Sequence, residues 1–141
     1  MAYTNLDIYK NAISFIGQDF NNDDLSDMEQ RAPYLLASFC CRAKNLDKDL
    51  RKIEDRGNQS EFSAVILPLE DNFPLLDRFA TSAALYVASM LVLEENSELS
   101  ESLYEKYCDD IASLASEIAL LKRQSEVYSQ CHPISDKYFF D

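Results

Sequence analysis

The spacing of apolar residues predicts that most of this chain is helical. Over residues 6–17 apolar side chains recur every three or four positions, which is the period of an amphipathic helix. Thr4 and Asp7, ahead of this run, are spaced as a capping pair, and Gly17 is a natural place for a helix to end. The pattern therefore predicts a first helix that ends at Gly17 and is followed by a polar loop.

A second and longer apolar run predicts a long helix that reaches Ile53. It opens with Ser26 and Glu29, which have the spacing of a capping box. The run indicates either one continuous helix or two helices joined near Asn45. Pro33 lies beyond the predicted first turn, where its missing N–H removes a backbone hydrogen bond. We therefore expect Pro33 to kink or restart this helix.

The middle of the chain contains a break and then a strongly apolar stretch. Residues 56–60 are polar and contain a glycine, and residues 62–67, bounded by Pro68, predict a short extended segment. Residues 75–93 are apolar on almost every side of a helical projection. A helix of this kind lies either at the centre of a core or beneath a neighbouring subunit.

The last regular pattern predicts a helix that is capped by Asn96 and Ser97 and ends near Lys122 and Arg123. Its apolar stripe consists of Leu99, Leu103, Tyr107, Ile111, Leu114, Ile118 and Leu121. We therefore predict an all-α fold, with four to five helices in a small bundle. The helical domain is expected over residues 1–125 and an irregular C-terminal tail over residues 126–141.

The tail carries apolar side chains that have no obvious partner elsewhere in the sequence: Ile134, Tyr138, Phe139 and Phe140. Each large side chain of this kind gains roughly 1.5–3 kcal/mol when a partner buries it. We therefore expect the tail to dock on a partner protein. The alternative is that it folds back onto the helices of its own chain.

Composition supports the helical interpretation and narrows the class of function. The 141 residues include only two glycines and four prolines, too few for a tightly turned all-β fold. The formal net charge of -12 disfavours a main task of gripping nucleic acid or anionic lipid, because both need a cationic surface. We find no signal peptide and no membrane-length apolar run in the sequence, so we expect a soluble protein made in the cytoplasm.

The cysteines do not have the spacing of a metal site. Cys40, Cys41, Cys108 and Cys131 form no C-x-x-C pair, and the single histidine is His132. Structural zinc needs four ligands in a suitable geometry, which these residues barely supply. We therefore expect free thiols in a reducing compartment, and neither a metal nor a cofactor.

The sequence also lacks the motifs of common enzymes. It contains no phosphate-binding glycine loop, no nucleophile elbow and no zinc-protease motif. His132 precedes Pro133 in the predicted tail, which is a poor position for a rigid general base. The sequence therefore predicts a protein without enzymatic activity.

Charge is distributed unevenly along the predicted helices. One stretch of the second helix is rich in basic residues, including Arg42, Lys44, Lys48, Arg51 and Lys52. One face of the last helix stacks acidic residues at steps of three and four: Glu98, Glu101, Glu105 and Asp109. The acidic face is either a solvated face, with or without pairing to the basic stretch of the same chain, or it contacts the basic stretch of the next copy. The second arrangement is a heterologous contact, the type that closes into rings.

Five parts of the sequence carry a family resemblance: residues 8–17, 29–36, 67–75 with 94–99, 103–107 and 134–138. The second contains Arg31-Ala32-Pro33 followed by apolar residues, and the third leads into the apolar helix. Together they resemble the head–tail connector (adaptor, or head-completion) proteins of tailed bacteriophages and prophages.

The resemblance implies a small helical protein without catalytic residues that forms a ring beneath the portal at the capsid vertex. Such a ring extends the DNA channel and joins the capsid to the tail, so DNA passes through it without specific binding. The implied partners are other copies of the chain, the portal protein, and the next connector or tail protein. The implied location is the head–tail junction of the virion, after synthesis in the cytoplasm of the bacterial host.

A different class of protein fits the same charge pattern. A small acidic helical interaction module, either a regulator or a mimic of DNA, would present its carboxylates to a basic protein as a monomer or dimer. The neighbouring genes distinguish the two hypotheses, because portal, capsid and terminase genes alongside would favour the connector.

Overall fold

The computed structural model describes residues 3–17 and 22–131. These residues form four α-helices and one short 3₁₀ helix: α1 (Asn5–Ile16), α2 (Asn22–Glu54), the 3₁₀ helix (Asp77–Phe79), α3 (Ala80–Leu91) and α4 (Ser97–Cys131). The described part of the chain contains no β-strand, so the predicted all-α fold is confirmed. Residues 62–67 form an irregular segment that runs along α2.

Helix α1 begins and ends where the sequence predicts. The Thr4 hydroxyl accepts a hydrogen bond from the N–H of Asp7 at 3.1 Å, and the Asp7 carboxylate accepts one from the N–H of Thr4 at 3.0 Å. The bond from the Thr4 backbone holds the pKa of Asp7 below its ordinary value. Gly17 ends the helix at a φ of 65°, a left-handed conformation that residues with side chains rarely adopt.

Helix α2 is one continuous helix of 33 residues, which selects one of the two predicted alternatives and corrects the predicted start. It begins at Asn22, so Ser26 lies inside the helix and does not cap it. Asp24 in the first turn favours this earlier start, because the helix dipole stabilises negative charge there. The helix also continues through Pro33 and Asn45 without a restart.

The surroundings of Pro33 explain why the helix continues. Met28, Ala32 and Leu36 are buried on the same side of α2, and burial of the larger side chains contributes about 1.5–3 kcal/mol each. A proline inside a helix costs about 3 kcal/mol, so the buried face outweighs it. The C=O of Pro33 in addition accepts a hydrogen bond from the N–H of Leu67 at 3.0 Å.

Helix α3 is the central helix of the bundle. Every residue from Ser82 to Ser89 is buried, and α3 contacts α1, α2 and α4. Small side chains let the neighbouring helices approach closely, and the Ser100 hydroxyl of α4 donates to the C=O of Ser89 at 2.7 Å. The apolar stretch is therefore covered within its own chain, which decides between the two positions that the sequence left open.

Helix α3 runs antiparallel to both α2 and α4. Arg31, near the start of α2, donates to the C=O of Met90 near the end of α3 at 3.2 Å. Ser82, at the start of α3, donates to the carboxylate of Asp110, which lies well along α4. Helices α2 and α4 therefore run in the same direction.

Helix α4 is longer than the sequence predicts. Asn96 caps it as expected, because its side-chain oxygen accepts a hydrogen bond from the N–H of Leu99 at 3.1 Å. The helix then continues to Cys131, so residues 126–131 are helical and not irregular. The buried stripe ends near Leu121, and Lys122, Arg123, Gln124 and Glu126 beyond it are good helix formers that favour continuation of the helix. The predicted docking residues Ile134, Tyr138, Phe139 and Phe140 lie outside the described residues.

A buried carboxylate fastens the long connection between α2 and α3 to α2. The side chain of Asp47 is fully buried and accepts three hydrogen bonds, from Arg51 Nε at 2.7 Å, Gln59 Nε2 at 2.8 Å and the N–H of Leu76 at 2.8 Å. A buried charge is tolerated only when it is paired and hydrogen-bonded in this way. We call this group the Asp47 network.

We predict that Asp47→Ala destabilises the protein by about 3–5 kcal/mol, because it leaves the largely buried charge of Arg51 without a partner. The free energy of unfolding is measured by urea titration followed by circular dichroism. The matched control is Asp49→Ala, whose carboxylate is 40% exposed and lies 3.9 Å from Lys122. This exposed pair contributes about 0–1 kcal/mol. Equal losses in the two variants would contradict the role of the network.

Candidate functional site

A row of lysines forms a basic surface on the second half of α2. Lys44, Lys48 and Lys52 are all exposed and follow one another at steps of four residues. Steps of four keep side chains on one side of a helix, with a rise of about 6 Å between them. We call these three lysines the basic surface. They are members of the set that the sequence predicts for a subunit interface.

The two arginines of that set are used within their own chain. The side chain of Arg51 is only 15% exposed, binds Asp47, and donates to the C=O of Pro74 at 3.2 Å. The guanidinium of Arg42 lies 5.5 Å from the centre of the Tyr86 ring, a cation–π distance. We therefore assign Arg51 to the fold, and the interface hypothesis depends mainly on the three lysines.

The basic surface lines a cleft and lies against the connecting segment. A cleft of about 510 Å³ lies between Lys48, Lys52 and the turn at residues 57–59. The ammonium group of Lys44 lies 5.6 Å from the centre of the Phe62 ring. Gln59 donates to the C=O of Lys44 at 3.0 Å, so the segment and the lysines are held in one arrangement.

Two exposed apolar side chains lie next to the basic surface. Val65 is 67% exposed and Ile66 is 38% exposed. The hydroxyl of Ser63 accepts hydrogen bonds from the N–H groups of both residues, at 3.1 and 3.2 Å. The Cys41 thiol contacts the C=O of Ala64 at 3.8 Å. We call residues 62–67 the apolar loop. These contacts hold the apolar loop against α2, on the N-terminal side of the basic surface.

Helix α4 carries the acidic counterpart. Glu98, Glu101, Glu105 and Asp109 are all exposed, and we call them the acidic surface. Within the described residues none of the four takes part in an ion pair. The last three follow one another at steps of four, so they repeat the spacing of the basic surface.

An apolar groove of about 580 Å³ lies beside the N-terminal end of the acidic surface. Leu93 is 53% exposed in it and Tyr104 is 36% exposed. The Tyr104 ring packs against Tyr107, with the ring centres 5.4 Å apart. The lining residues are Met90, Leu93, Ser97, Ser100, Tyr104 and, at the rim, Glu101 and Glu105. We call this feature the apolar groove.

Neither the apolar loop nor the apolar groove could be predicted from the sequence. In a sequence, single apolar residues such as Val65 look the same whether they are buried or exposed. Leu93 carries a weak signal, because it ends an apolar run and directly precedes Glu94 and Glu95. An apolar residue at such a boundary has about equal chances of facing the core or the solvent.

An aromatic cluster supports the helices that carry both charged surfaces. Tyr107 of α4 packs against Tyr86 of α3 and Phe39 of α2, with ring centres 5.2 and 6.1 Å apart. Edge-on and tilted contacts of this kind stabilise a core beyond simple burial. Burial raises the pKa of Tyr107, so its hydroxyl stays protonated near neutral pH.

The two charged surfaces do not neutralise each other within the chain. In the described residues the one ion pair between α2 and α4 joins Asp49 to Lys122 at 3.9 Å, with the acid on α2. Lys48 and Lys52 flank Asp49, so the basic surface lies near the level of Lys122. Glu105 comes 17 residues before Lys122 on α4, which is about 26 Å along the helix axis. Within the described residues no ion pair therefore joins the two surfaces in one chain, and the acidic surface is exposed to solvent.

The described residues present no metal site and no membrane span. No group of three or more His, Cys, Asp or Glu side chains in this part of the chain is arranged to hold a metal ion. None of its helices combines the length and apolarity that crossing a bilayer requires. Burial raises the pKa of the Cys40 thiol, whereas Cys41 and Cys108 are exposed free thiols.

No protein-family model, curated protein or solved structure gives a significant match to this chain. The resemblance to phage connectors therefore stays a prediction. The features of the structure that bear on function are the charged surfaces and the apolar loop and groove beside them.

Proposed function

We propose that this protein is a structural head–tail connector of a tailed bacteriophage or prophage, and that its copies join into a ring through their charged surfaces. The observation that carries the proposal is the separation of a basic and an acidic surface on one bundle, neither neutralised by the other. Each surface is exposed and can bind a partner of opposite charge, and a second copy of the chain offers both.

The proposed contact joins α2 of one copy to α4 of the next. Because the two surfaces differ, each added copy leaves one surface of each sign free, and the chain of copies grows until it closes. Within one chain the two surfaces are offset by roughly 25 Å along the bundle. Joining the two surfaces therefore displaces each copy along the bundle axis relative to its neighbour. In a closed ring all copies lie at the same height on the ring axis, so the bundles must be inclined to that axis.

The charge of the chain suits a channel for DNA. With a net charge of -12 on each copy, a ring repels phosphate groups, so DNA slides through without specific binding. In this proposal the protein lies at the head–tail junction of the virion after its synthesis in the host cytoplasm. It contacts the portal on one side and the next connector or tail protein on the other, and has no catalytic role and no cofactor.

We predict that Lys48→Glu with Lys52→Glu markedly weakens association between copies, because each reversal turns an attraction into a repulsion across the contact. Exposed ion pairs contribute about 0.2–1 kcal/mol each, so two reversals weaken the contact markedly. Both lysines are exposed, so the free energy of unfolding stays near the wild-type value. Association is measured by sedimentation velocity, alone and with the portal.

Adding Glu105→Lys and Asp109→Lys to the same chain restores association, because the charges are then exchanged between the two surfaces. The control is Lys10→Glu, one such charge reversal at an exposed position of α1, far from the basic surface in the sequence. If the two lysine reversals associate as well as this control does, copies do not join through the charged surfaces.

We further predict that removal of residues 131–141 leaves the thermal stability nearly unchanged and abolishes binding to the portal or to a neighbouring copy. The reason is that residues 122–128 are exposed, so the core of the bundle ends before the end of α4. The melting temperature shifts by less than about 2 °C when no buried contact is lost. A chain that lacks only Asp141 is the control. A large fall in the melting temperature of the isolated monomer would show that the tail belongs to its own core.

The second candidate function is a small acidic interaction module, either a regulator or a mimic of DNA. It is favoured by the four exposed carboxylates of the acidic surface, which would bind a basic protein without any ring. Portal, capsid and terminase genes next to the gene for this protein would favour the connector. Their absence, together with tight binding of a basic protein by the monomer, would favour the module.

A further inference from the structure

We infer that α2 of one copy docks on α4 of the next in a parallel direction and in a single register. This inference depends on the proposed ring and adds the residues that pair. The pairs are Lys44 with Glu101, Lys48 with Glu105, and Lys52 with Asp109, while the apolar loop of the first copy enters the apolar groove of the second.

The spacing of the charges restricts the geometry of the contact. The three lysines and the three acids each follow one another at steps of four residues within a continuous helix. Both rows therefore rise by about 6 Å from one charge to the next. All three pairs form together only when the two helices lie nearly parallel or nearly antiparallel, and a shift by one step loses a pair.

The apolar elements decide between these two directions. On α2 the apolar loop lies before Lys44, held there by the bond between the N–H of Leu67 and the C=O of Pro33. On α4 the apolar groove likewise lies at the N-terminal end of the acidic surface. A parallel alignment brings Val65 and Ile66 onto the groove. An antiparallel alignment would carry them towards the other end of α4, where Leu120 is exposed.

The chemistry of the groove selects a second copy of this chain as its occupant. Glu101 and Glu105 at the rim repel acidic partners, and most of the surface of a chain with a net charge of -12 is acidic. The apolar loop is an exception, because Lys44 lies against Phe62 of the same segment. The loop thus offers apolar side chains together with positive charge, which is what an acid-rimmed apolar groove binds.

Cysteine crosslinking tests the register in the full-length chain. The background carries Cys41→Ser, Cys108→Ser and Cys131→Ser and keeps the buried Cys40. One chain then receives Val65→Cys and a second chain receives Leu93→Cys. The two are mixed and treated with a short bifunctional maleimide, and the crosslinked heterodimer is quantified by mass spectrometry.

The matched control replaces Leu93→Cys by Leu120→Cys. The two leucines are almost equally exposed, at 53% and 54%. Leu93 lies between α3 and α4, and Leu120 lies well along α4. We expect a several-fold larger yield of heterodimer for the Val65 and Leu93 positions than for the Val65 and Leu120 positions. The yield should fall as the salt concentration rises, because the pairs between exposed charges are screened.

Three results would overturn the inference. An equal or larger yield with Leu120→Cys indicates an antiparallel or non-specific contact. An equal yield from the Leu93→Cys chain alone indicates a groove-to-groove dimer. No crosslink in either mixture shows that the loop and the groove do not meet. With any of these results, the lysine reversals separate the register from the ring. If Lys48→Glu with Lys52→Glu still weakens association, the register is wrong and the proposed ring stands. If the reversals leave association unchanged, the register and the proposed ring both fail.

Discussion

The arrangement of this protein depends on the buried carboxylate of Asp47. It joins α2 to Gln59 and to the backbone of Leu76, two points on a connection that has almost no regular structure of its own. Because both points are fixed, the connection follows one path along α2 and delivers the chain to the start of the central helix. The same path places Val65 and Ile66 beside the lysines, so a buried polar contact shapes an exposed surface. Arg51 neutralises the carboxylate and is thereby withdrawn from that surface.

Helix direction then determines where the charges lie. Because α3 reverses the chain twice, α2 and α4 run in the same direction, and their charged rows lie at different heights on the bundle. Neither row reaches the other within one chain. The exposed side chains of the apolar loop and of the apolar groove are likewise not covered within one chain. A monomer with this distribution of charged and apolar surface is suited to binding a copy of itself in one direction.

Much of this arrangement could be predicted from the sequence, because the buried face of a helix appears in the sequence as apolar residues at steps of three and four. The apolar stripes of α2 and α4 and the nearly uniform apolar stretch of α3 each became a buried face. The ends of helices were harder to predict, because α4 continues beyond Leu121 without any burial. The role of Arg51 was missed because an inward and an outward arginine look alike. Asp47 did carry a signal, since it falls on the same stripe as Ala43 and Leu50, where a carboxylate needs a buried partner.

The central claim is that copies join through α2 and α4 into a ring at the head–tail junction. The most direct test is a cryo-electron microscopy reconstruction of the portal vertex of the particles that contain this protein. The proposal predicts a ring of inclined four-helix subunits below the portal, with Lys48 of one copy facing Glu105 of the next. A ring whose subunits meet through α1, or a vertex without this protein, would contradict it.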